Sequence, residues 1–74
     1  MALAEYSSDK MWSILVDTVH ELVMFPRHKA YTRDSILQDK PEVKPEELVA
    51  RLGIPLGEAL VILFELKKER EVQP

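Results

Sequence analysis

The chain has 74 residues, enough for one domain and too few for a second independent core. Hydrophobic residues make up 46% and charged residues 31%, a globular rather than a disordered composition. With 13 acidic against 10 basic side chains and a formal net charge of -3, a grip on nucleic acid by bulk charge is excluded. The absence of cysteine excludes a disulfide framework, a thiolate metal site and a thiol nucleophile.

Two glycines and five prolines divide the chain, because proline disfavours a helical residue before it and breaks a helix interior. The first predicted helix runs from about Ser8 to Met24, capped by Ser7 or Ser8, with Asp9 in its first turn and Pro26 ending it. Trp12, Leu15, Val16, Val19, Leu22 and Val23 follow helical spacing and form its apolar stripe. Residues Arg27 to Tyr31 read as a loop. Thr32 is placed to cap a short second helix, Arg33 to Lys40, which buries Ile36 and Leu37 before Pro41 stops it.

A third helix starts at Pro45, a residue suited to the first helical position, with Glu46 and Glu47 in the first turn. Leu48, Val49 and Leu52 form its apolar side, Glu47 stands four residues before Arg51 for pairing, and Gly53 supplies a left-handed cap. The fourth helix covers about Leu56 to Glu71. No stretch alternates with a strand period, so the reading is an all-α domain of four helices over 1–74, with 1–7 as a flexible N-terminal segment.

A domain this small buries only about 60% of its extended surface. Without disulfides it needs a dense helical core or a partner. No apolar run approaches the roughly 20 residues of a membrane span, and Met1 to Tyr6 lack a secretory signal, so the expected location is the cytoplasm.

Residues 45–66 (PEELVARLGIPLGEALVILFEL) resemble the helix-turn-helix of winged-helix transcription regulators. In that family a short helix ends in a Leu-Gly-Ile or Leu-Gly-Val turn and a longer recognition helix follows. The matching apolar positions are Leu48, Leu52, Ile54, Ala59, Ile62, Leu63 and Leu66. Two steeply crossing helices need a left-handed residue at the turn, here Gly53, and an apolar plug after it, here Ile54. The resemblance implies a trihelical unit, with Arg33 to Lys40 as its preceding helix and the Ser8 to Met24 helix as an N-terminal extra.

The departures from the family carry more information than the match. Val49 replaces the usual small residue where the two helices touch, and Pro55 stands where Ser or Thr caps the recognition helix. No two-stranded wing follows Leu66. The outward positions, which in the family reach base edges, hold Pro55, Leu56, Gly57, Glu58, Leu60, Val61, Phe64 and Glu65. None is Arg, Lys, Asn or Gln, the usual readers of guanine and adenine. Leu56, Leu60 and Phe64 stand at i, i+4 and i+8 and make a second apolar stripe beside the core stripe. A helix apolar over so wide an arc needs cover on two sides. The first helix can lie across it, a partner or second copy can, or both can combine.

The expected function is therefore a non-enzymatic binding module. Its protein interface is Met11, Ile14, Leu56, Leu60, Val61 and Phe64, used for protein–protein contact or as a homodimer. The alternative is a small DNA-binding regulator that contacts phosphates through Arg27, Lys29, Arg33 and Lys44, with Tyr31 to stack on a base. Asp17, His20 and Glu21 share one side of the first helix but read as an ordinary polar face rather than a metal site. No glycine-rich phosphate loop and no serine with a neighbouring base occur, so no catalytic residue, cofactor or metal is expected.

Overall fold

The computed structural model describes residues 8–72. The expected flexible segment 1–7, and with it the Ser7 cap, lies outside the described residues. Four helices occur among the described residues: α1, Ser8–His20; α2, over 25–39; α3, Pro45–Leu52; and α4, Leu56–Val72. No strand occurs among the described residues, and none of the helices there is long and apolar enough to cross a membrane.

The first half departs from the sequence reading. α1 stops at His20, four residues early. Three successive short turns follow: Glu21 N–H donates to Thr18 O, Leu22 N–H to Val19 O, and Phe25 N–H to Leu22 O. Leu22 and Val23, expected in the apolar stripe, are exposed, Val23 at 91%. The turn reverses the chain so that Phe25 enters the core, and Phe25 with Val19 supplies the burial that Leu22 and Val23 forgo. Pro26 then sits in the first turn of α2, where its missing N–H has no intrahelical partner to lose. It opens a helix instead of closing one, and the predicted loop Arg27 to Tyr31 is helical.

α2 has three parts. An α-helical segment, Phe25–Tyr31, runs into a π-helical turn, Thr32–Ile36, and ends in a last α turn, Leu37–Asp39. Leu37 N–H donates to Thr32 O across the wide turn. Thr32 is not a cap. It is fully buried, and its hydroxyl donates to His28 O at 2.8 Å, the bond that makes a threonine tolerable inside a helix. Lys40 leaves helical geometry at φ -140°, ahead of Pro41.

The second half follows the expected physics. Lys44 is extended and Pro45 takes the first turn of α3. Gly53 closes α3 at φ 66°, donating to Val49 O at 2.9 Å. A side chain there would meet no neighbour, so conformation alone calls for glycine. Glu47 is held by Lys40, whose Nζ reaches its two oxygens at 2.9 and 2.8 Å, instead of by the expected Arg51. Ile54 plugs the turn, 4% exposed.

α4 is the central element, contacted by α3, α1 and α2. Its Ala59, Val61, Ile62 and Leu66 join Val19, Phe25, Ile36, Val43, Leu48 and Ile54 in one core. At Gly57 the approach of α1 is close: a Cβ at this position would stand 3.0 Å from Leu15 Cδ1.

Candidate functional site

α4 presents two very different surfaces. Its first three turns expose Leu56 (48%), Leu60 (38%) and Phe64 (43%), and α1 adds Met11 (48%) and Ile14 (46%). The i, i+4, i+8 spacing aligns the three α4 residues along one side of the helix. α1 covers part of that side: Trp12 meets Phe64 edge to face, with centroids 5.0 Å apart and planes at 68°, and Leu15 abuts Gly57. Lys68 Nζ also stands over the Phe64 ring, 5.4 Å from its centroid. Phe64 is thus oriented by an aromatic edge and a cation, yet nearly half of it faces solvent.

One expected interface residue moves out of this surface. Val61 is fully buried. One step along a helix rotates a side chain by about 100°, enough to turn Val61 inward while Leu60 remains outward. The remaining five expected interface residues are exposed.

The second surface of α4 carries Glu58, Glu65 and Glu69. The sequence reading turns Glu58 and Glu65 outward, but all three are engaged by the chain itself. Glu58 is 3% exposed and accepts a hydrogen bond from His28 Nδ1 at 2.6 Å. Its place in the first turn of α4 adds the favourable field of the helix N-terminus. Glu65 accepts from His20 Nε2 at 2.6 Å and from Lys29 Nζ at 3.0 Å. Lys29 Nζ also donates to Glu69 at 2.6 Å. Donors from α1 and α2 therefore engage all three carboxylates of this face of α4.

The protonation equilibria follow these contacts. Burial alone would raise the Glu65 carboxyl, but hydrogen bonds from His20 and Lys29, with their nearby charges, outweigh it and hold the group below its ordinary value. Burial would likewise lower the Lys29 ammonium, but hydrogen bonds to Glu69 and Glu65 outweigh it and raise the group. Each partner thus favours the charged form of the other.

This network changes the standing of the basic residues. Arg27, Lys29, Arg33 and Lys44 do not form one free cationic patch. Lys29 is committed to Glu65 and Glu69. Arg33 is exposed but bonded to Asp34, at 2.8 Å through Nε and 3.2 Å through an amino group. Arg27 and Lys44 are exposed and have no ion-pair partner among the described residues. Tyr31 is 54% exposed. On α1, His20 turns to Glu65 instead of gathering with Asp17 and Glu21. Among the described residues no three His, Cys, Asp or Glu side chains converge as a metal site.

The sequence alone does not place this network, because a loop over 27–31 gives Lys29 and His28 no defined direction. A signal was present. Glu58, Glu65 and Glu69 are spaced by seven and four residues, a single helical face, and the basic stretch around His28 and Lys29 is the counterpart that such a face calls for.

Comparison with known proteins finds no matching family model, no similar curated protein and no similar solved structure.

Proposed function

We propose that this protein is a protein-contact module whose working surface is Met11, Ile14, Leu56, Leu60 and Phe64, and that a second copy of the chain occupies it. The observation that carries the reading is that α1 already lies against α4 and still leaves these five large apolar side chains between 38% and 48% exposed. An uncovered row of this kind marks an association surface. A two-fold pairing places the row against itself, apolar on apolar, and needs no complementary patch elsewhere on the molecule.

The scaffold in this reading is a helix-turn-helix unit over 45–66. Left-handed Gly53 and buried Ile54 support it. The side of α4 that a gene regulator would turn to bases is hydrocarbon in Leu56, Leu60 and Phe64, and two of the four cations named for phosphate contact are paired within the chain. Protein contact is thus favoured over DNA contact, and no catalytic chemistry is assigned.

Sedimentation equilibrium from low to high micromolar concentration tests the proposal. Self-association is expected for the native chain, and Leu60→Asp should yield a monomer with unchanged helical circular dichroism. A native chain that stays monomeric throughout, or a Leu60→Asp chain that associates as before, overturns it.

A further inference from the structure

A second surface lies farther along α4, where its C-terminal half faces the end of α2. Two hollows of about 400 and 250 Å³ meet there and share Leu37, Pro41 and Arg70, so they form one groove. Leu37, Leu63 and Leu66 give it an apolar floor. Leu63, Leu66, Lys67 and Arg70 stand at i, i+3, i+4 and i+7, so one side of α4 supplies both floor and cationic rim.

The charges around the groove do not cancel. Glu69 is the one carboxylate that lines it, and it shares the Lys29 ammonium, 2.6 Å away, with Glu65. Arg33 lines it but is bonded to Asp34. Lys67 and Arg70 remain, without an ion-pair partner among the described residues. An acidic chain, net charge -3, thus sets two uncompensated cations over a hydrocarbon trough. The π-helical turn Thr32–Ile36 leads straight into Leu37. Such turns are rare in helices and recur at functional sites.

We infer that this groove binds an acidic peptide segment of a partner protein, with carboxylates on Lys67 and Arg70 and interleaved apolar side chains on Leu37, Leu63 and Leu66. Charge complementarity sets the sign of the ligand, and the hydrocarbon floor sets its amphipathic character. A nucleic acid would bring phosphates but finds no aromatic platform for its bases among the lining residues. A small organic anion would lie in an open trough, short of the burial such ligands normally have. The inference does not depend on the Leu56, Leu60 and Phe64 surface.

The test is selection of a random dodecapeptide display library on the immobilised full chain. Fluorescence anisotropy of the leading synthetic peptide follows, with the native and Lys67→Glu/Arg70→Glu chains. Selected peptides are expected to interleave two or more carboxylates with apolar residues. The double variant should bind at least tenfold more weakly, Val23→Ser should bind as the native chain does, and amide resonances of Leu37, Leu66 and Arg70 should shift on titration. No enrichment over bare support, equal binding by the double variant, or shifts confined to other residues overturns the inference. So does displacement of the peptide by duplex DNA or decanoate at equal concentration.

Discussion

Two faces of α4 meet different fates. The face bearing Glu58, Glu65 and Glu69 is met by His28, Lys29 and His20, and no buried side-chain nitrogen or oxygen among the described residues lacks a hydrogen-bond partner. The face bearing Leu56, Leu60 and Phe64 is met only in part, by Trp12 and Leu15 of α1. At its buried end the polar face is completed inside the monomer because a buried carboxylate such as Glu58 is costly without a donor. The apolar face can remain partly open, since exposed hydrocarbon costs only in proportion to its area. The unfinished face is therefore the one available for association.

Adjacent residues offer the strongest way to break this contrast. Val61→Asp places an unpaired charge in the core and should abolish cooperative folding, whereas Leu60→Asp should leave the urea midpoint of the monomer nearly unchanged. Equal loss from both would mean that the outward row is structural. Ile62→Ala, in the same core, should cost about 2–5 kcal/mol by the same measurement.

The polar face comes next. Glu58→Ala leaves the half-buried His28 without its acceptor and should cost about 1–3 kcal/mol in chemical denaturation, with Glu58→Gln losing less because it can still accept. A loss as large in Gln as in Ala would trace the effect to charge at the helix N-terminus rather than to the bond.

The pH dependence tests the Glu65 and Lys29 pair. Because Glu65 is held below its ordinary value of 4.5, its contribution is complete above that pH and is lost as pH falls through the lower folded-state value. Because Lys29 is held above 10.5, its contribution is complete below that pH and is lost as pH rises through the higher folded-state value. Glu65→Gln should flatten the acid limb of a stability–pH curve and also lower the alkaline midpoint. A curve unchanged on both sides would mean that the pair does not hold in solution.

The smallest effect is expected at the exposed pair. Arg33→Ala should leave the melting temperature unchanged, since surface ion pairs of this kind contribute little. Duplex DNA titrated at low salt should show no binding, and Arg27→Ala with Lys44→Ala should not alter that result. Binding lost in that double variant would restore the phosphate-contact reading.

Much of the second half was legible beforehand. Pro45, Gly53 and Ile54 each have a local physical meaning that does not depend on distant residues: a first-turn proline, a left-handed cap and an apolar plug. The stretch 21–31 was not legible, because proline marks a helix start as readily as a helix stop. The decision rests on Phe25. As a helix continuation it would have carried Leu22 and Val23 inward, but the short turns spend those two on solvent and bring Phe25 into the core. The outward direction of Leu56, Leu60 and Phe64 could be read from helical spacing, while Val61 sits near the boundary between two apolar stripes, where spacing alone does not assign a side.

By itself the sequence determined the helical class, the left-handed turn and the two apolar stripes of α4, since these follow from periodicity and backbone sterics within a few residues. Only the tertiary structure decided that α1 ends at His20, that Pro26 opens α2, and that the acids of α4 are answered by residues 30 to 45 positions away. The reason is physical. Backbone preferences act over one turn of helix, whereas the pairing of charges and the covering of apolar faces depend on which segments the core brings side by side.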